Sequence, residues 1–478
     1  MSIDELAFEP KISFLSDGDK DKIHRAALQI LKEIGMRLFQ DEALALLADA
    51  GGTVEGQNVK ISEDLVQQAL ASAPNNIAIY NRAGAQVMDL GGRRSYYGTG
   101  SDLIYAFESE TMARHACTLD DVARAAVVAD AMPNIDFIMS FAHPYDYPGK
   151  HAFLLSFQTM AASSIKPIVC TAAGRDDLAC MWEIARILRG NEADLRSQPY
   201  FVYYGEPISP LKYPVESLDK LLFCAEKAIP VIYSPAPIAG STAPMSIAGH
   251  VAQGLAESLC GLVIHQLKAP GAPFLMGMGP AVLDMATGQC SYNAPEYLMA
   301  YAAIIEMSHY YDLPNWGYAG TSDAQLPDEQ ATFEAGLLTF LAEMLGSNLN
   351  HDVGYLDFGR TGSLEMIVII NEFIDLIRRM HRGIPVNEDT LAVDVVRDVG
   401  SEGDFLTHAH TLRHLRATQW RPKLISRLGY EKWEAAGKTT LLQRASKRLD
   451  EVLRDHKPAA IKQDQAAAIQ RMVNAFRG

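Results

Sequence analysis

The sequence predicts an α/β fold: a TIM (β/α)8 barrel with an N-terminal α+β cap and a C-terminal helical extension. Three observations carry that expectation. From Asp130 onward, short apolar, aromatic-rich runs alternate with helix-periodic segments at about 25 to 45 residues per unit, the length a parallel strand needs to return over a helix. Several runs end in small or turn-forming residues, as in Ser234-Pro235-Ala236-Pro237 and Gly277-Met278-Gly279-Pro280, which lets loops fold inward over a mouth. No G-x-G-x-x-G or G-x-x-x-x-G-K-[S/T] turn is present, so the open dinucleotide- or phosphate-binding sheet loses its usual signature.

Taken in order, residues 1–92 are expected to form the cap. It holds helices over Asp19 to Met36 and Glu42 to Ala50, with short strands over Asn58 to Ile61 and Asn76 to Tyr80. The barrel is expected over 93–400. RSYYGTG (94–100) is the least clear strand, and Thr118-Leu-Asp-Asp121 reads as a capping box opening the helix after it. Seven further strands are expected at 135–141, 167–172, 200–205, 230–235, 273–279, 314–320 and 349–358. Helices are expected at 151–163, 176–190, 215–228, 247–268, 294–311, 328–346 and 363–381. The extension, 401–478, ends in a charged, Ala-rich stretch from Lys438 that is helical by pattern, divided at Lys457-Pro458 and expected to pack on the barrel or a sister subunit.

At 478 residues and 48% hydrophobic, the chain can bury a barrel of about 250 residues with additions at both ends. A formal charge of −16 with no Lys/Arg cluster argues against nucleic acid and anionic membrane. A small molecule or a protein is the expected partner. The cysteines, Cys117, Cys170, Cys180, Cys224, Cys260 and Cys290, show no paired spacing and fit a reducing compartment. The N-terminus MSIDELAFEP lacks the basic segment of a signal peptide, and the apolar stretch Gly249 to Leu267 is broken by polar residues, so a soluble cytoplasmic protein is expected.

Chemistry concentrates between Pro314 and Arg360, where strands empty into polar loops. Tyr318, Asp323, Asp328, Glu329, His351, Asp352 and Arg360 stand out there, because the carboxyl ends of barrel strands hold the site in this architecture. Glu206 and His143, just beyond two other strand runs, stand out for the same reason. The carboxylates around 323–329 also suit an ordinary helix opening after Pro327. Tyr96, Tyr97, Tyr203, Tyr204, Tyr233, Trp316, Tyr318 and Tyr355 cluster at strands; alternate residues point inward, so a subset can enclose a quaternary ammonium while the rest pack outward. Arg360 and His351 suit a substrate carboxylate, with Asp357 as the alternative partner of Arg360. His408, His410 and His414 hold metal-ligand types on one helix, but without a matching carboxylate or a C-x-x-C they equally fit a surface or interface. No metal is assigned. There is also no G-x-S-x-G or cysteine-nucleophile signature.

Four stretches, HACTLDDVARAAVVADAMPNIDF (115–137), LAESLCGLVIHQLKAPGAPFLMG (255–277), GTSDAQLPDEQATFEAGLL (320–338) and FLTHAHTLRHLRATQWRPKLISRLGYEKWEAAG (405–437), together resemble the trimethylamine methyltransferase (MttB) family of corrinoid-dependent methyltransferases. The resemblance spans nearly the whole chain. It implies a TIM barrel that moves a methyl group from a methylated amine to the Co(I) corrinoid of a separate corrinoid protein, with no tightly bound cofactor of its own. Founding members place pyrrolysine within a segment like PDEQATFE; here Glu329 stands at or near that place. The family's members without pyrrolysine include glycine betaine methyltransferases, which makes a quaternary amine, and first glycine betaine, the expected donor, with dimethylglycine as product. On this basis Glu329 and Glu206 are the expected catalytic carboxylates, balancing the ammonium. Tyr97, Tyr204, Tyr318 and Tyr355 form the expected aromatic wall, His143 adds a substrate contact, and His351 with Arg360 holds a carboxylate. A homo-oligomer is expected. Two other classes stay open: a metal-dependent TIM-barrel hydrolase or deaminase using the three histidines, and a non-enzymatic binder of quaternary amines.

Overall fold

The computed structural model describes residues 10–477 except 109, 110, 112, 148 and 150. The acidic N-terminal stretch 1–9 lies outside them.

Short parallel strands rich in Val, Ile, Tyr and Phe build the centre, because such side chains pack well on a pleat buried on both faces. One ladder runs Ile168–Cys170, Phe201–Gly205, Val231–Tyr233 and Phe274–Met276, each strand pairing with the next in chain order. A second joins Trp316–Tyr318 to Leu349–His351 and then to Tyr96–Tyr97. Single parallel bridges link the ladders: Met276 to Asn315 on one side, and Gly98 to Phe137 and Ile138 to Ile168 on the other. The weak strand expected at 94–100 is thus present as Tyr96–Tyr97, and the run at 135–141 contributes bridges rather than a ladder strand.

Each crossover is a helix, as the apolar periodicity requires: Ala152–Ser163, Arg175–Arg189, Val215–Lys227, Ile247–Lys268, Pro295–Tyr310, Glu329–Leu345 and Leu364–His381. The Thr118 capping box forms with Asp121 at the start of Leu119–Ala131. Ile247–Lys268 is long and apolar enough to cross a membrane, but most of it is buried, beneath Asp17–Gln29 and Glu63–Ser72.

Two further expected elements change. Met36 does not end a helix; after Asp17–Gln29 comes one π turn, Ile30–Ile34, and Met36–Leu38 is a strand pairing with Asn58–Lys60 and Lys212–Tyr213. The expected strand 349–358 breaks after His351, where Asp352 adopts φ 76°. A left-handed residue cannot continue a strand, and Asp is among the few non-glycine residues that tolerate it.

Period-2 alternation sends Phe137, Val169, Val202, Ile232, Leu275, Trp316 and Leu349 into one interior cluster. The hairpin Ile77–Tyr80 with Gln86–Leu90 adds Ile77, Ile79, Met88 and Leu90 to that cluster, and Tyr96 Oη accepts from the Asp89 N–H (3.1 Å). It plugs the amino ends of the strands and leaves the carboxyl ends as the opening. Leu441–Asp455 packs on Leu364–His381 and Leu119–Ala131, and Gln463–Arg477 packs on Arg175–Arg189.

Candidate active site

A cavity of about 250 Å³ opens at the carboxyl ends of the strands. Ser101, Met139, Tyr204, Glu206, Ala236, Gly279, Ala281, Tyr292, Tyr297, Tyr318, His351, Asp352, Tyr355 and Gly359 line it. Parity explains the aromatic members. Val202 faces the interior, so Tyr204 does too, and Trp316 and Leu349 likewise carry Tyr318 and His351 inward.

The rings make one continuous wall. Tyr318 lies 4.5 Å from the His351 ring centroid, 5.8 Å from Tyr297 and 6.3 Å from Tyr292; Trp316 stacks on His351 at 4.1 Å. Burial pushes the Tyr204, Tyr318 and Tyr355 hydroxyls well above the usual phenol range, so they stay protonated. Tyr355 donates to the Ser101 carbonyl, whereas the buried Tyr297 hydroxyl has no hydrogen-bond partner. Gly100 leaves room for this wall, since a Cβ there would meet Asp352 Oδ1 at 2.2 Å and Tyr355 Cζ at 2.4 Å.

Two carboxyl groups face the same space. Glu206 accepts from Tyr204 Oη (3.0 Å). Its side chain is exposed, but to the water of a concave mouth with protein crowded around it, and that desolvation raises its pKa against the opposing Tyr204 hydrogen bond and the Lys220 charge. Asp352 is buried outright, and burial raises its pKa well above the carboxylate range. His351 Nδ1 donates to the Gly317 carbonyl (2.8 Å), which leaves Nε2 facing Asp352 Oδ1 at 3.3 Å. Burial pushes His351 down to about 3, against that hydrogen bond. Burial thus favours the uncharged form of both groups, a neutral imidazole with its proton on Nδ1 and a carboxyl that holds its proton to higher pH than a free aspartate. No Lys or Arg lies among the described lining residues.

The structure brings together Glu206, Tyr204, Tyr318, His351, Asp352 and Tyr355 of the residues singled out from sequence. It separates the others. Tyr97 faces outward, donating to Glu343 Oε2 beneath two helices, so it is no part of the wall. Glu329 is exposed in the first turn of its helix, which Asp328 caps through the Ala331 N–H (3.1 Å). Arg360 binds Asp357 Oδ1 (2.7 Å), a carboxylate already holding Arg114 (3.0 Å); the i, i+3 partner is closer at hand than the cavity. His143 packs against Tyr145 and Phe153 outside the lining. Asp323 is buried behind the wall, accepting from Ser291 Oγ (2.5 Å) and the Tyr292 N–H (3.0 Å), and so positions Tyr292. Tyr292 and Tyr297, on the turn and helix before the Trp316 strand, carried no signal in the sequence.

The profile of the trimethylamine methyltransferase (MTTB) family matches residues 6–476. The chain is 30% identical over 473 residues to the glycine betaine methyltransferase of Desulfitobacterium hafniense (strain Y51), covering 98% of each. It is 29% identical over 460 residues to the trimethylamine methyltransferase MttB of D. hafniense (strain DCB-2), covering 96% of this chain and 92% of the relative. Among solved structures, the monomethylamine methyltransferase MtmB of Methanosarcina barkeri shares the fold at a TM-score of 0.53 and 14% identity, over 94% of this chain and 90% of that one. With a match running almost end to end and relatives spanning the same length, this chain belongs to the trimethylamine methyltransferase (MTTB) family.

Proposed function

We propose that the chain is a cytoplasmic methyltransferase that moves a methyl group from a quaternary ammonium donor to the Co(I) corrinoid of a separate carrier protein. Its scaffold is a closed (β/α)8 barrel, the ring completed by the single bridges at Gly98, Ile138 and Met276. The observation that carries this reading is the make-up of the mouth: carboxyl groups and tyrosine rings, and no Lys or Arg among the described lining residues. A quaternary nitrogen offers no N–H, so π faces and a nearby carboxylate are what can hold it.

The Co(I) corrinoid supplies a two-electron nucleophile for the methyl carbon, while the C–N electron pair stays on nitrogen and a neutral tertiary amine leaves without needing a proton. The chain's own residues bind, orient and dry the donor. Glu206, when ionised, balances the ammonium; the wall of Tyr204, Tyr292, Tyr297 and Tyr318 encloses its methyl groups; closeness and exclusion of water then lower the barrier. A cavity of about 250 Å³ suits a small amine and is far too small for a corrin macrocycle, so the carrier must present its ring at the opening. Glycine betaine, giving dimethylglycine, is the donor we place first, its carboxylate meeting the unpartnered Tyr297 hydroxyl in place of Arg360. The metal-dependent hydrolase loses ground, since His408, His410 and His414 are not among the lining residues.

The test is to mix the protein with Co(I) cobalamin, or with corrinoid carrier proteins, and glycine betaine, choline, tetramethylammonium or trimethylamine, following the absorbance of the methylated corrinoid. Methylation by a quaternary donor and none by trimethylamine is the expected result. Saturable binding of quaternary amines without turnover on any carrier would leave the non-enzymatic binder.

A further inference from the structure

The histidine helix lies outside everything the active site uses. Segment 383–437 contains Glu388–Leu391, Val393–Val399, Ala409–Thr418 and Tyr430–Ala435, none with a buried residue. Apart from the buried Leu424, many of its apolar side chains face outward, with Ile384 83%, Leu406 79% and Leu412 67% exposed. Helices this short do not hold themselves in water without a packed face. Yet the Asp389 turn and the Ala409–Thr418 helix stay together, and the contacts between them converge on one residue. His410 Nε2 lies 3.0 Å from the Asp389 carbonyl, His414 Nε2 lies 2.9 Å from Asp389 Oδ2, and Arg413 reaches Oδ1 at 3.4 Å.

We propose that Asp389, His410 and His414 form a binding site for a divalent transition-metal ion of the zinc class, which staples this segment. The ligand atoms of the three residues all lie within 4.8 Å of one another. Histidines at i and i+4 share one face of a helix, and their rings stack at 4.1 Å, which aligns both Nε2 atoms toward Asp389. His414 Nε2 is buried without a properly aligned hydrogen bond, although a carboxylate oxygen stands beside it. Two imidazoles and a carboxylate make a recognised zinc donor set with a fourth position left open. On binding, each imidazole carries its proton on Nδ1 and offers the Nε2 lone pair, and the ion takes the place of the proton that His410 Nε2 now donates to the Asp389 carbonyl. His408 is not a ligand in this arrangement; its Nδ1 accepts from the His410 N–H (3.1 Å) and caps the helix. The third ligand type missing from the sequence pattern is thus Asp389, which the fold returns from 21 residues upstream of His410. The site is distinct from the methyl-transfer cavity and does not rest on the function proposed for it.

Untagged full-length protein, stripped with a chelator and desalted, is titrated with Zn²⁺ by calorimetry and with Co²⁺ by visible absorption. One ion per chain is expected, with Co²⁺ bands of four- or five-coordinate geometry, and Zn²⁺ should slow proteolysis within 383–437. His410→Ala, His414→Ala and the isosteric Asp389→Asn should each weaken Zn²⁺ binding by about 100-fold or more, the upper end of what a perturbed metal site loses. Far-UV circular dichroism of Asp389→Asn, expected to be unchanged, separates lost ligation from lost fold. Absence of saturable one-to-one uptake, or equal Zn²⁺ affinity in the wild type and the His410→Ala/His414→Ala double variant, overturns the proposal.

Discussion

Asp352 and His351 are neighbours in sequence and in space, and burial acts on them in opposite senses, raising the carboxyl and lowering the imidazole. Below the unfolded carboxyl value of 3.8 both the folded and unfolded chains carry a protonated Asp352, so it applies no penalty. As pH rises from there, the unfolded chain releases its proton freely while the folded chain resists; stability falls until the raised folded value is passed. Asp352→Asn keeps the shape and donates Nδ2–H to His351 without that penalty. It should be as heat-stable as wild type near pH 3.8 and increasingly more stable toward neutral pH; a gap in thermal midpoint that does not widen with pH would refute the raised Asp352 carboxyl. Glu206 makes the complementary prediction for binding. Its raised pKa means the carboxylate becomes neutral at a higher pH than an ordinary glutamate, so donor kcat/KM should fall as pH drops through that raised value. Glu206→Gln should lose that limb of the profile and bind a quaternary donor about 10-fold more weakly or worse, since an ion pair at low dielectric is worth well over 1 kcal/mol. Its profile staying wild type would move the counter-charge elsewhere.

At the scale of elements, adjacent residues of one strand can have opposite fates. Tyr96 and Tyr97 are the same residue type, and only the register against Leu349 and Asn350 decides that Tyr96 faces the interior while Tyr97 points to the helices. Tyr97→Phe should therefore lower stability by about 1 to 3 kcal/mol, by leaving the buried Glu343 oxygen short of a donor, with the donor KM unchanged. A raised KM would return Tyr97 to the site. The same logic marks what the sequence could show. The crossover helices, the Thr118 capping box and the inward parity of Tyr204, Tyr318 and His351 follow from local rules of period and capping, and these were legible. The break after His351 was not, because it depends on Asp352 accepting φ 76° beside Gly100, a contact between distant strands. Arg360 turned to Asp357 because a short i, i+3 pair forms within its own loop. Tyr292 and Tyr297 reach the mouth only because a buried Asp323 from the next loop holds their turn.

For the molecule as a whole, the two terminal helices decide whether the tail is an accessory or part of the core. The helix Leu441–Asp455, charged by composition and expected to pack on the barrel or a sister subunit, buries Ala445, Leu449 and Val452 as a stripe against Leu364–His381 and Leu119–Ala131. The latter leads into the run of Phe137 and Ile138, where the two ladders are linked only by single bridges. Packing there supports the join that the strand hydrogen bonds alone leave thin. Leu449 is wholly buried, so Leu449→Ala removes its transfer free energy and leaves a cavity, a loss of about 2 to 5 kcal/mol. The variant should shift the main urea transition to lower denaturant with its slope kept, because the same surface is exposed on unfolding. Were the tail an independent appendage, Leu449→Ala would instead add a separate early transition and leave the main one in place. A shift of the main transition, together with weaker protection of the Ile138 amide from hydrogen exchange, would tie the C-terminal helices to the stability of the strands around the opening.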